Sequence, residues 1–112
     1  MDFLSKLKGA IARNNTLLCV GMDPTEAMLT AGADLYSRLM DWGKSLIDQT
    51  ADLVCCYKPN AGFFEQFGPK GVRAMADIIA AVPEDIPVLL DAKRGDIGST
   101  AVAYARGAWE GF

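Results

Sequence analysis

Two acids and two bases, Asp91, Lys93, Arg94 and Asp96, follow the apolar run Val88-Leu89-Leu90 in the stretch PVLLDAKRGDIGST. Asp91 and Lys93 are two apart, so on an extended backbone their side chains leave the same face. Carboxylates and ammonium groups placed side by side favour the charged form of each. A fixed ammonium can stabilise negative charge that develops on a substrate and can then donate a proton. Two other apolar runs also deliver a charge at their ends, Asp23 after TLLCVGM and Lys58 after ADLVCCY. If Lys58 lies on the strand beside Asp91, the order Lys58, Asp91, Lys93, Asp96 alternates in sign. A structural ion-pair network is the competing reading. It is disfavoured because buried ion pairs often fail to recover their desolvation cost.

These residues need a scaffold, and the apolar spacing supplies one. Leu4, Leu7 and Ile11 predict an amphipathic helix over residues 2–14, ended by Asn14 and Asn15. A strand over 16–22 follows, and Asp23-Pro24 breaks the chain. Leu35, Leu39, Trp42 and Leu46 mark a helix over 34–49. ADLVCCY is the second strand, and Gly68-Pro69 opens a helix whose apolar face is Val72, Met75, Ala76 and Ile79. VLL begins the third strand, and Ser99 is the expected N-cap of a last helix. Strands alternating with helices imply parallel pairing through right-handed crossovers. The class is α/β, and periodicity alone fits either a flavodoxin-like open sheet or part of a barrel. In both, ligands gather at the C-terminal ends of the strands, where Asp23, Lys58 and Asp91 fall.

Composition narrows the function classes. Half of the residues are hydrophobic (51%) and 22% are charged, as in globular chains. The net charge of −3 and the scattered basic residues argue against nucleic-acid binding. No apolar run is long enough to span a bilayer, and the N-terminus lacks a signal-peptide core. There is no histidine, which sets aside His-dependent triads and the usual zinc sites. Cys19, Cys55 and Cys56 have no disulfide spacing and read as buried free thiols of a reducing cytoplasm. GST at the last helix start reads as ordinary capping, GPKG lacks the flanks of a phosphate loop, and Arg94 is either a solvated loop charge or a partner for Asp96.

The stretch LLDAKRGDIGSTA resembles the signature of the orotidine 5'-phosphate decarboxylase family, with Asp91, Lys93, Asp96, Ile97 and Thr100 at the matching positions. LLCVGMDP is similar to the family's first strand and CCYKPNAGFFEQFG to its second, in the wording of the longer bacterial branch. The resemblance implies a (β/α)8 TIM barrel, a homodimer, a cytoplasmic setting and no cofactor or metal. It implies that orotidine 5'-phosphate (OMP) is converted to UMP and carbon dioxide. It also implies that Lys93 protonates C6 of the pyrimidine, that Asp91 lies near the departing carboxylate and that Lys58 helps hold the charge array. Asp23 would bind ribose hydroxyls, while Asp96, Ile97 and Thr100 would reach the partner subunit's site.

A barrel of this kind typically needs about 250 residues. The expectation is therefore a partial TIM barrel: residues 1–112 as the N-terminal part of one domain, with an N-terminal helix and the first three strand-helix units. Alone, it is expected to be inactive and to self-associate. Two rivals remain: a magnesium-dependent phosphosugar decarboxylase or synthase on a related barrel, and a non-catalytic, self-assembling partial barrel. Lys58 and the Asp-Ile-Gly-Ser-Thr continuation favour the first reading.

Overall fold

A computed structural model describes residues 1–112. Helix α1, Phe3–Asn14, starts where the Asp2 carboxylate accepts the Ser5 N–H at 2.7 Å and stops at Asn15, which takes the left-handed conformation (φ 48°). Strand β1, Cys19–Met22, is followed by a short 3₁₀ turn, Glu26–Met28. Helix α2, Leu35–Thr50, is capped by Asp34, whose carboxylate accepts the Ser37 N–H. Strand β2, Cys56–Pro59, leads into the five-residue helix α3, Ala61–Glu65, and then α4, Gly68–Ala81, with Pro69 in its first turn. Helix α5 spans Gly98–Glu110. Neither the 3₁₀ turn nor α3 was expected, because both are too short to leave a periodic apolar pattern.

Strands β1 and β2 pair in parallel, with Cys19 opposite Cys56 and Met22 opposite Pro59. The third expected strand is present as an extended segment over 87–91 that touches β2 through two separated parallel bridges, Tyr57 to Val88 and Asn60 to Asp91. The gap has a chemical cause. The Tyr57 N–H donates to the Pro87 carbonyl, Leu89 N–H to Tyr57, Asp91 N–H to Pro59 and Ala61 N–H to Asp91. The next donor in that alternation would be residue 59, and proline has no N–H to give. Pro59 thus removes one rung and interrupts the ladder without displacing the segment. The sheet order is β1, β2, then 87–91, all parallel.

The second strand begins later than its apolar run suggested. Residues 51–53 form a turn, and the Asn14 side-chain amide donates to the carbonyls of Ala51 and Val54 at 3.0 and 2.8 Å. Asn14 therefore ties the end of α1 to the α2–β2 connection. Lys58 and Pro59 lie inside the strand, not beyond it.

The core lies on the helix side of the sheet. Met22, Tyr57, Leu39, Phe64, Met75 and Ile78 are fully or almost fully buried, each worth roughly 1.5–3 kcal/mol of burial. The Tyr57 hydroxyl is paired with the Thr50 hydroxyl at 2.7 Å, so its polar end is satisfied. The buried stripe of α4 is Gly71, Ala74, Met75 and Ile78, one position round from the expected face. Small residues there let α4 approach both α2 and α3. A Cβ on Gly43 of α2 would meet Ile78 Cδ1 at 2.5 Å, and one on Gly71 would collide with the Phe64 carbonyl.

Candidate functional site

Parallel register fixes which side chains share a face. Gly21 is opposite Lys58 and Asn60 is opposite Asp91. Residues 19, 21 and 23, then 56, 58 and 60, then 89 and 91 therefore follow one face, opposite to α2 and α4. Tyr57, Pro59 and Val88 take the other face, in or against the core. Beyond the α1 contact at Cys56 this face is open: Cys19 and Gly21 are exposed, as is Leu89. Cys19 is exposed where the sequence predicts burial, because α1 covers its neighbour Cys56 on this face but not Cys19 itself. Cys55 and Cys56 are buried, with Ala10 of α1 packed against them. Burial, followed by the neighbouring Cys19, pushes the Cys56 thiol up to about 12.

At the C-terminal edge of that face, the Lys58 and Lys93 ammonium groups both bond Asp91 Oδ2, Lys58 at 3.4 Å. The hydrogen bond from Lys93 holds the Asp91 carboxyl below its ordinary 3.8; Lys58 adds to the effect, and partial burial opposes it. Lys58 and Asp91 side chains are 35% and 23% exposed and Lys93 is 67% exposed, so the array faces an open space on the Lys93 side. Lys93 has φ 50°, the left-handed region that a lysine enters at a cost of roughly 1–2 kcal/mol. Asp23 is tied to the end of the central strand by Asn60, whose amide donates to Asp23 Oδ2 at 3.4 Å. The other carboxylate oxygen of Asp23 is buried without a partner.

Asp96 does not complete an alternating chain of four within this subunit. It forms no ion pair with Lys58 or Lys93, and its carboxylate accepts the N–H of Ile97 at 2.7 Å. Ile97 is 86% exposed and is the N-cap of α5, so Ser99 lies within the helix and is not its cap. Gly98, with φ 55°, makes the turn into the helix that other residues rarely adopt. Thr100 sits exposed in the first turn of α5. Asp96, Ile97 and Thr100 thus share one exposed rim beyond Lys93. Lys93, Asp96 and Tyr104 border a cleft of about 440 Å³. A separate, wholly apolar cleft of about 460 Å³ lies among Phe3, Ile79, Val88 and Trp109 and contains none of the charged residues.

Two residues gain a place that the spacing did not reveal. Asn60 connects Asp23 to the central strand, and only its position two after Lys58 signals that it shares their face. Arg94 pairs with Glu65 of α3, not Asp96, and donates to the Ala92 carbonyl at 2.7 Å. Glu65 is 29 residues away, so no local pattern announces the pair.

Parallel strands carrying Asp23, Lys58 and Asp91 at one edge, with helices on the opposite face, define the opening units of a (β/α)8 barrel. The sequence pattern of the orotidine 5'-phosphate decarboxylase / HUMPS family matches residues 16–111. The chain belongs to that family. It is 45% identical over 109 residues to an orotidine 5'-phosphate decarboxylase of Herpetosiphon aurantiacus, covering 96% of this chain and 41% of the relative. It is 43% identical over 111 residues to one from Thermomicrobium roseum, covering 98% and 40%. The structure of Leishmania donovani OMP decarboxylase superposes with a TM-score of 0.85 at 45% identity, over 99% of this chain and 41% of that one. L. donovani UMP synthase gives the same score and identity over 99% and 23%. The chain thus spans about 40% of the length of the curated decarboxylases it matches. No helix is long and apolar enough to cross a membrane.

Proposed function

We propose that residues 1–112 supply the charged half of a cofactor-free OMP decarboxylase site, as part of a single TIM-barrel domain. The observation that carries this reading is the sharing of Asp91 Oδ2 by Lys58 and Lys93 at the strand edge. Decarboxylation leaves an electron pair on C6 of the pyrimidine. Lys93 stabilises that charge as it develops and then transfers a proton to the carbon. Asp91, kept ionised by the two lysines, holds Lys93 in place and lies beside the departing carboxylate. Lys58 balances the Asp91 charge, and Asp23 accepts hydrogen bonds from the ribose hydroxyls. Asp96, Ile97 and Thr100 act in the site of a second subunit, which fits their exposure on one rim and the lack of any lysine partner for Asp96 in their own chain.

The 112 residues alone leave the outer edges of β1 and of 87–91 unpaired, together with an open apolar face. Open edges recruit other strands, so the isolated chain self-associates and does not turn over OMP. Three free thiols suit a reducing, cytoplasmic setting. The test is a chimera in which residues 1–112 replace the matching region of the H. aurantiacus relative. It should release carbon dioxide from OMP with added chelator present. Turnover that requires magnesium and a phosphosugar would instead support the related-barrel reading.

A further inference from the structure

Lys93 poses a mechanical problem. Its left-handed backbone (φ 50°) is unfavourable for a residue with a side chain, and residues 93–100 are exposed, with no core packing to impose it. The next residue supplies the constraint. One nitrogen of the Arg94 guanidinium donates to the Ala92 carbonyl at 2.7 Å, closing a loop around Lys93. Another binds the Glu65 carboxylate of α3. The same guanidinium lies over the Tyr104 ring of α5, 5.7 Å from its centre. Helix α5 has no buried residue of its own, and this contact ties its middle to the loop.

We propose that Arg94 is a positioning residue: it clips the loop after 87–91 to α3 and α5 and thereby holds Lys93 in the backbone conformation that brings its ammonium onto Asp91. Planarity matters, because one guanidinium must donate in two directions and stack at once, which a lysine cannot do. The activity arm below rests on Lys93 being the proton donor; the clamp itself does not.

Trypsin cuts after lysine and arginine, so the loop reports its own opening. In the 112-residue chain, Glu65→Ala removes one anchor and leaves both cut sites intact. Cleavage after Lys93 and Arg94 should speed about tenfold while cleavage after Lys6 and Lys8 is unchanged. Equal rates at the loop, or uniform acceleration at all sites, would overturn the clamp. In the chimera, Arg94→Ala should lower kcat roughly 10- to 100-fold with KM within about threefold, as expected when a reacting group is misplaced and binding is kept. Arg94→Lys should recover only part of the loss, and adding Glu65→Ala to Arg94→Ala should cost little more. An unchanged kcat, or a loss confined to KM, would overturn the proposal. A chimera inactive before any substitution would contradict the proposed function alone, and the proteolysis would still decide the clamp.

Discussion

Asp91 is held between two ammonium groups, and its protonation sets how far the array survives in acid. Its folded value lies below 3.8, so the stabilisation it provides is fully present above pH 3.8 and fades as pH falls through the folded value. Asp91→Asn should therefore remove part of the acid limb of the stability profile; an identical limb in the variant would show that Asp91 contributes none of it. Cys56 has the opposite sign. Its thiol is pushed from 9.0 to about 12, so its contribution is intact below pH 9.0 and is lost as pH rises toward about 12. At pH 8, a thiol reagent should modify exposed Cys19 before Cys55 and Cys56, which react only on unfolding. Equal reactivity of all three would contradict the burial described. At this scale the sequence is informative where chemistry follows strand register: Lys58 and Asp91 meet across neighbouring strands, whereas Lys93 reaches Asp91 from a left-handed residue that strand alternation does not describe. It was silent on Arg94–Glu65 because that contact depends on how α3 sits beside the loop, and no periodicity encodes it.

Helix positions were legible because their apolar stripes repeat and their caps are marked by Asp2, Asp34 and Pro69. Strand limits were less so, since an apolar run such as 51–57 has the same composition whether it turns or extends, and Asn14, far away in sequence, holds the turn. Pro59 is the sharpest case. Proline argues against a central strand, yet here its missing N–H costs only one rung toward 87–91. The α2–α4 and α3–α4 contacts give an element-scale prediction. Gly43→Ala and Gly71→Ala should each destabilise the fold by about 1–3 kcal/mol through overpacking. Gly71→Ala should cost more, because its obstacle is backbone and not a movable side chain. Gly9→Ala, with nothing within 4 Å in helix α1, should stabilise by up to about 1 kcal/mol. Thermal melts of the three variants decide this, and a harmless Gly71→Ala would refute the close approach of α3 and α4.

Across the whole molecule, the three parallel strand segments present one face covered by α2 and α4 and one that is largely open, with α1 only at Cys56, and the charges sit at the rim of the open one. Light scattering of the isolated chain should show species larger than 12.0 kDa; a stable monomer would mean that the open edges are less adhesive than their exposure implies. Shared sites have their own signature. Chimeric subunits carrying Asp96→Ala, mixed with subunits carrying Lys93→Ala, should regain up to about a quarter of full activity, since half of the dimers are mixed and each of those holds one intact site. No recovery despite subunit exchange would place Asp96 in its own subunit's chemistry or outside it. The most direct test of the central claim is OMP turnover by the chimera with Lys93→Ala, measured beside binding of a nucleotide analogue. The account predicts a rate lower by at least about 100-fold with analogue affinity within about tenfold. A variant that decarboxylates at nearly the parent rate would contradict it.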